Sequence, residues 1–338
     1  MARRRSKIPT PSWEHEQGQF TRRLDTSAWR LWATAGVVLL ILAGLGLIAF
    51  GFLSDYIGDQ RRPGSLGLRV GEEEYSVSYF TDRTELYVEE FGNAQAVIVL
   101  PTVASALIEE SLLLQFASER DVTATDEEIR AEVGRNLSLA LDDPNFDARV
   151  QEAIARSGLS EDEYYDIARA AVLRLNVIDS FEADVADELP AIHYRQIQVE
   201  DQATADGLIE ELDGGADFVK LAQEHSLDEA TKPLGGDKGW VPEGLVTDEG
   251  LEDLIFSLEV GEISTYPTGS GIFILEVVEK SDGRAVTDEQ KGSLAQAAYS
   301  DWALEKREAV DITNEFDLSV GDAKKIGYVI DHAGLTLG

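Results

Sequence analysis

The longest uninterrupted apolar segment of the chain lies near its N-terminus, between residues 31 and 53. No charged side chain occurs in these 23 residues. At a rise of about 1.5 Å per residue, a helix of this length crosses a hydrocarbon core of about 30 Å. The apolar region of a cleaved signal peptide is shorter, about 7–15 residues, and no A-x-A-like cleavage site follows Phe50. The pattern therefore predicts one transmembrane helix, with a buried core helix as the alternative.

The charge distribution predicts how this helix is oriented. The 30 residues before it carry seven basic and three acidic side chains, whereas the whole chain has 64 acidic and 29 basic residues and a net charge of −35. Basic flanks stay on the cytoplasmic side of a membrane. We therefore expect a cytoplasmic tail at 1–30, a single pass through the cytoplasmic membrane, and an extracytoplasmic remainder. The acidity indicates a solvated surface and argues against a nucleic-acid partner, which requires a basic face.

Helical patterns dominate residues 71–189 and return after residue 284. Apolar residues recur four or seven positions apart after Pro101, which predicts a helix that this proline opens. Three capping boxes of the S/T-x-x-E/Q type predict further helix starts. Their first residues are Thr125, Ser160 and Thr287.

The segment between the helical regions has a different pattern. Residues 191–200 (AIHYRQIQVE) and 271–278 (GIFILEVV) are short, rich in β-branched and aromatic residues, and bounded by proline or glycine, so both are predicted strands. Between them lie two helical patterns (201–213 and 216–225), a glycine-rich loop (234–240, LGGDKGW) and a third helical stretch (248–258). This order predicts a small α+β domain.

Four motifs in this segment carry a resemblance to a known family. They are G-A-D-F, the loop G-G-D-x-G-W, the run F-x-L-x-x-G-E-I-S that starts at Phe256, and the strand S-G-I-x-I-L. In this order, over roughly residues 190–280, they are similar to the parvulin-type peptidyl-prolyl isomerase domain. Residues 107–129 resemble the N-terminal chaperone region of the SurA and PrsA foldases.

The resemblance implies an α+β fold in which a parvulin-like domain, a small antiparallel sheet with surrounding helices, is inserted in a mainly helical chaperone lobe. One transmembrane helix precedes both parts. The expected organisation is a cytoplasmic tail (1–30), the transmembrane helix (31–53), a linker (54–70), the helical chaperone region (71–189), the parvulin-like domain (190–281), and a C-terminal helix and tail that pack on the lobe (282–338).

The resemblance also places a pocket for the proline ring of a substrate. Its apolar floor falls on Leu251 and Phe256, with Leu245 and Trp240 at the edge. Leu251 and Phe256 equally fit the ordinary core of a small domain. The pocket and the core therefore remain alternative predictions for these two residues.

The polar part of the expected site departs from the family pattern. Where the family usually has two histidines, this chain has Gln196 on the first strand and Phe273 on the last. Gln196 can donate and accept hydrogen bonds, and Phe273 contributes only packing. Asp228 remains as the acid, either as the main electrostatic contributor or as a loop residue that bonds its own backbone. His193 faces the other side of its strand unless the register slips by one residue.

The function that the resemblance implies is that of a membrane-anchored extracytoplasmic foldase. It would isomerise X-Pro bonds in unfolded or newly translocated polypeptides, without a cofactor. Cysteine is absent and the four histidines show no H-x-x-x-H spacing, so a metal site is not expected. Two other functions remain open: a non-catalytic holdase with a degenerate parvulin domain, and a structural membrane protein.

Overall fold

The computed structural model describes residues 43–50, 53, 58 and 60–337. The predicted cytoplasmic tail lies outside these residues, and so does the predicted transmembrane helix except for 43–50 and 53. Residues 43–50 are helical, and their large apolar side chains are exposed. The chain divides into two compact units, 1–63 and 64–338. The elements labelled here belong to the second unit.

The second unit contains helices and short antiparallel sheets. Its helices are α1 (Val77–Phe91), α2 (Ala96–Phe116), α3 (Asp126–Asn136), α4 (Phe146–Ser157), α5 (Glu161–Asp184), α6 (Gln202–Asp213), α7 (Phe218–His225), α8 (Glu249–Ser257), α9 (Asp288–Ala309) and α10 (Ala323–His332). Its strands are β1 (Leu66–Val70), β2 (Glu73–Ser76), β3 (Glu188–Val199), β4 (Asp237–Pro242), β5 (Ile263–Thr268), β6 (Gly271–Ala285) and β7 (Ile312–Asn314).

The strands form two antiparallel sheets. One has the order β2-β1-β7, and the other has the order β4-β3-β6-β5. The second sheet, with α6, α7 and α8 around it, confirms the predicted α+β fold class. The predicted linker 54–70 differs at its end, because β1 occupies its last five residues. Leu68 and Val70 in this strand are fully buried, so the segment belongs to the core of the lobe.

The three predicted capping boxes are confirmed. Each hydroxyl accepts a hydrogen bond from the backbone three residues later, and each Glu or Gln side chain returns a bond to the cap backbone, at Thr125, Ser160 and Thr287. These reciprocal bonds satisfy N–H groups that the first helical turn leaves unpaired. Local sequence is therefore sufficient to set where α3, α5 and α9 begin.

The predicted start of α2 at Pro101 is wrong. The helix begins at Ala96 and contains the proline. The distant C-terminal segment supports this earlier start, since the Ala96 N–H donates to the Thr336 carbonyl at 2.8 Å and the Thr336 N–H donates to Ala94 at 2.7 Å. A bond partner 240 residues away leaves no mark on the local sequence pattern.

Helix α2 is the centre of the lobe. Among the residues that the structure describes, the helical segment Ala96–Arg120 is long and apolar enough to pass as a membrane span, and half of it is buried. Its buried side chains pack against α1, β1, α5 and α9. Because α9 follows the four-stranded sheet in sequence and returns to α2 and α5, the sheet domain interrupts the helical lobe.

Candidate active site

The two faces of the four-stranded sheet pack against different helices. Ile192 and Tyr194 of β3 join Leu275 and Val277 of β6 in one apolar cluster with α8. Ile197 and Val199 join Ile274 in another cluster with α6 and α7. By the two-residue repeat of a strand, Gln196 continues the face of Ile192 and Tyr194. We call this the α8 face.

The structure brings the two predicted polar residues together on the α8 face. The side-chain amide of Gln196, which is 6% exposed, donates to Asp228 Oδ2 at 2.7 Å. Thr231 Oγ1 donates to the same carboxylate oxygen at 2.6 Å, and the Ala230 N–H donates to Oδ1 at 3.1 Å. The carboxylate therefore holds its own loop, as one of its two predicted roles requires, and it also contacts Gln196.

The charge of Asp228 is stabilised by its surroundings. Burial raises the pKa of this carboxyl, but hydrogen bonds from Thr231, Gln196 and the Ala230 N–H, with the nearby charge of Lys238, outweigh burial and hold the pKa below its usual range. Asp228 is therefore ionised at neutral pH. Burial raises the pKa of Tyr194 to about 12, and the Asp228 charge adds to that rise. Sequence reasoning missed Tyr194 and Thr231, although alternation along β3 places Tyr194 beside Gln196.

The loop that carries Asp228 is tied to β3. Ser226 Oγ is fully buried and accepts from the backbone N–H groups of Gln198 and Asp228, both at 3.2 Å. The Leu227 N–H donates to the Gln198 carbonyl at 2.7 Å. Ser226 is also the C-cap of α7. Ser226 therefore ends the helix and also holds the Asp228 loop against β3.

Gly236 of the glycine-rich loop packs directly on the strand that carries Gln196. The Gln196 N–H donates to the Gly236 carbonyl at 2.9 Å. Gly236 has a φ of +82°, and a Cβ added there would lie 2.3 Å from the Gln196 carbonyl oxygen. Only glycine allows both this backbone conformation and this close approach. The glycine loop thus sets the position of β3 at the site.

Two predicted pocket residues, Leu251 and Phe256, share the apolar part of the α8 face with Phe273, which the resemblance also assigned to the site. Leu251 is a buried member of the cluster, and Phe256 and Phe273 pack against it while remaining half-buried. Phe273 lies two residues from Leu275, the direct cross-strand partner of Gln196, so Gln196 and Phe273 are diagonal neighbours. Leu251 has the burial of a core residue, and the two half-buried rings offer surface to a ligand.

The prediction that Trp240 lines this pocket is wrong. Trp240 is the cross-strand partner of His193. The centroid of its ring lies 5.8 Å from the centroid of the His193 ring and 4.2 Å from Cζ of Arg284. These residues lie on the opposite face, since the neighbouring Val241 packs with the α8 cluster. The predicted face assignment of His193 agrees with this geometry. Its Nε2 lies 2.7 Å from Asp237 Oδ1, and the same oxygen accepts from the Gly239 N–H.

The remaining predicted residue, Leu245, lies in the turn between β4 and α8 and is half-buried.

A polar pair that sequence reasoning missed lies at the start of α8. Tyr266 of β5 packs against the apolar cluster, and its hydroxyl donates to Asp248 Oδ1 at 2.7 Å. Asp248 also caps α8. This bond links β5 to the start of the helix that carries Leu251 and Phe256.

Comparison with known families agrees with this architecture. The family of the PPIC-type PPIase domain matches residues 189–281, and the SurA-like N-terminal domain matches residues 27–178. The chain is 31% identical over 211 residues to the foldase protein PrsA of Geobacillus kaustophilus, an alignment that covers 61% of this chain and 72% of that protein. The chain belongs to the PrsA foldase family. The resemblance predicted from the four motifs is confirmed, and residues 189–281 are a parvulin-type peptidyl-prolyl isomerase domain.

Two further relatives show the extent of the similarity. The foldase protein PrsA of Caldanaerobacter subterraneus subsp. tengcongensis is 30% identical over 207 residues, which cover 60% of this chain and 64% of that protein. The crystal structure of the peptidylprolyl isomerase PrsA from Bacillus anthracis is 20% identical and covers 69% of this chain and 97% of that chain, with a TM-score of 0.39. This PrsA-family chain thus spans slightly less than two thirds of the first of these relatives.

Proposed function

We propose that this chain is a membrane-anchored extracytoplasmic foldase that catalyses cis-trans isomerisation of X-Pro bonds in unfolded or newly translocated polypeptides. The observation that carries the proposal is the α8 face itself. It places the hydrogen-bonded pair of Gln196 and Asp228 beside the half-buried rings of Phe256 and Phe273. A polar edge next to an apolar surface suits a prolyl peptide, whose ring is apolar and whose amide is polar.

The chemistry requires little more than this surface. Rotation about an X-Pro amide loses resonance, with a barrier of about 18–20 kcal/mol for a peptide bond, and takes tens to hundreds of seconds without a catalyst. The twisted amide is less polar than the planar one, so a partly dehydrated apolar site favours it. Because no proton is transferred, a histidine acid-base pair is not essential. Gln196 retains its side-chain oxygen as an acceptor and its second amide hydrogen as a donor.

A holdase is the second candidate, and one observation favours it. The Gln196 amide already donates to Asp228, and Phe273 offers no polar group. In this case, the domain binds prolyl peptides in the planar state and the twisted state equally well, which gives no acceleration. A catalytic site differs only in binding the twisted amide more tightly.

The rate of X-Pro exchange separates the two candidates. We expect the full chain in lipid nanodiscs to accelerate isomerisation of a short Xaa-Pro peptide and the proline-limited refolding of an unfolded protein. Empty nanodiscs are the control for both reactions. Peptide binding without acceleration of either reaction would reject the isomerase and support the holdase.

Membrane anchoring rests on the sequence and on exposed apolar residues. The predicted span 31–53 contains Leu47 and Phe50, which are 73% and 70% exposed. Such a surface is stable in lipid and unfavourable in water. We expect protease added outside intact cells to digest the region after residue 63 and to spare an epitope placed in 1–30. Digestion of that epitope as well would reject the proposed orientation.

A further inference from the structure

The helical lobe contains a ligand-sized cleft. Its walls are α2 and α9, and Arg174 of α5 lies at its edge. The cleft has a volume of about 380 Å³, within the range of roughly 300–1,000 Å³ that is typical of small ligand sites. No residue of the sheet domain lines it, so this cleft is separate from the α8 face.

The floor of the cleft is apolar. Ile108, Leu112 and Leu113 of α2 and Trp302 of α9 line it and are buried. Leu304 also lines the cleft, but it is 55% exposed. An exposed leucine at the mouth of an apolar cleft gives an incoming apolar side chain an additional contact. The floor therefore suits one or two side chains of the size of leucine.

Polar side chains lie at intervals along the two walls of the cleft. Ser105 of α2 and Gln296 and Ser300 of α9 are exposed lining residues. Hydroxyl and amide groups along both walls can bond the N–H and C=O groups of a peptide backbone. A hydrocarbon chain has no polar groups that could bond to them. The wall chemistry therefore favours an extended peptide over a lipid.

The positive charge at the cleft is only partly neutralised. Glu109 Oε1 accepts a hydrogen bond from the Tyr299 hydroxyl at 2.5 Å and forms an ion pair with Arg174 Nε at 3.1 Å, so this carboxylate already has two partners. Arg307 lines the cleft one turn beyond Leu304. Within the part of the chain that the structure describes, no carboxylate lies within ion-pair distance of Arg307.

We propose that this cleft binds a segment of an unfolded polypeptide in which two apolar residues are followed by an acidic side chain. The apolar residues occupy the floor, and the acidic group pairs with Arg307. The net charge of the chain repels acidic peptides at long range, but charges beyond about 8–10 Å are screened at physiological salt. The contact with Arg307 acts within that distance. This inference rests on the proposed foldase function, because it names what the chaperone lobe holds.

Three proline-free peptides carrying a neutral dye test the proposal by fluorescence polarisation with the full chain in nanodiscs. Their central sequences are Leu-Leu-Asp, Leu-Leu-Lys and Ser-Ser-Asp, and their ends are blocked. We expect Leu-Leu-Asp to bind about threefold to fivefold more tightly than Leu-Leu-Lys, as one rim ion pair allows. Ser-Ser-Asp should bind at least about tenfold more weakly, since it lacks both apolar side chains.

Matched variants locate the binding site. Arg307→Glu should reverse the preference between the aspartate and lysine peptides, whereas Arg149→Glu, at an exposed arginine of α4, should leave it unchanged. Leu304→Ser should weaken both leucine peptides, and Leu141→Ser, at another exposed leucine, should not. Arg307 also lies in the last turn of α9, where a cation stabilises the helix. If Arg307 only stabilised the helix, Arg307→Glu would lower the melting temperature but would not reverse the peptide preference.

Several results would overturn the inference. The first is equal binding of the aspartate and lysine peptides by the wild type, and the second is an unchanged preference in Arg307→Glu. The third is displacement of the peptide by decanoate with a Kd for the cleft that is lower than the Kd of the peptide. The same nanodiscs are assayed for X-Pro isomerisation. Loss of peptide selectivity with normal isomerisation rejects the cleft proposal only. Peptide selectivity without isomerisation supports the cleft and rejects the isomerase.

Discussion

Replacing Asp228 by alanine is expected to lower kcat/KM for X-Pro isomerisation by about tenfold or more, which corresponds to roughly 1.4 kcal/mol of transition-state stabilisation. The carboxylate accepts hydrogen bonds from both Gln196 and Thr231, so without it the Gln196 amide is no longer held in position. The substitution also removes a negative charge at the edge of the proposed prolyl-binding surface on the α8 face. The measurement is a protease-free assay of a short Xaa-Pro peptide.

The control for this change is Glu229→Ala, which removes the adjacent exposed carboxylate and should leave the rate unaltered. Asp228→Asn separates charge from position, because the amide oxygen can still accept from Gln196. The buried Gln196 amide without its acceptor also costs about 1–3 kcal/mol of stability. Circular dichroism must therefore show that each variant is folded. Full activity of a folded Asp228→Ala would remove Asp228 from the mechanism and leave it only as a loop residue.

The wild-type rate should also be insensitive to pH near neutrality. Because its hydrogen bonds and Lys238 hold the pKa of Asp228 below its usual range, this carboxyl stays ionised as the pH is lowered from about 8 to about 6. A site that depended on histidine would titrate in this interval.

The second large effect is expected for Gly236→Ala, which should destabilise the isomerase domain by about 3 kcal/mol or more. A non-glycine residue at a left-handed φ costs roughly 1–2 kcal/mol. The new Cβ would in addition lie 2.3 Å from the Gln196 carbonyl oxygen, which is backbone of the central strand β3 and cannot move independently. Denaturant unfolding monitored by fluorescence measures the change, and isomerase activity should fall with it.

Gly239→Ala is the matched control. Gly239 belongs to the same loop and has a φ of +69°, but no atom lies within 4 Å of the position of an added Cβ. This variant therefore carries the conformational cost without the clash, and we expect it to lose only about 1–2 kcal/mol. Equal destabilisation by the two substitutions would show that the contact between Gly236 and β3 contributes nothing. It would contradict the proposal that this loop positions Gln196.

The part of the fold that local sequence predicted has local causes. The capping boxes at Thr125, Ser160 and Thr287 each close within four residues, so a short window contains the whole interaction. The same holds for the alternation in β3 that separates Gln196 from His193. The resemblance assigned Gln196 and Asp228 to the same site, and the structure adds that the two side chains are in contact through a hydrogen bond of 2.7 Å.

The sequence by itself determined the capped helix starts, the central strands of the isomerase sheet and the identity of the polar pair, since these depend on neighbours in the chain or on motifs in a set order. Only the tertiary structure decided that α2 begins before Pro101, that β1 lies in the predicted linker, and that Trp240 faces away from the pocket. It also created the cleft between α2 and α9. The physical reason is that each of these features depends on a partner distant in sequence: Thr336 for α2, β7 for β1, Arg284 for Trp240, and helices separated by the whole isomerase domain for the cleft.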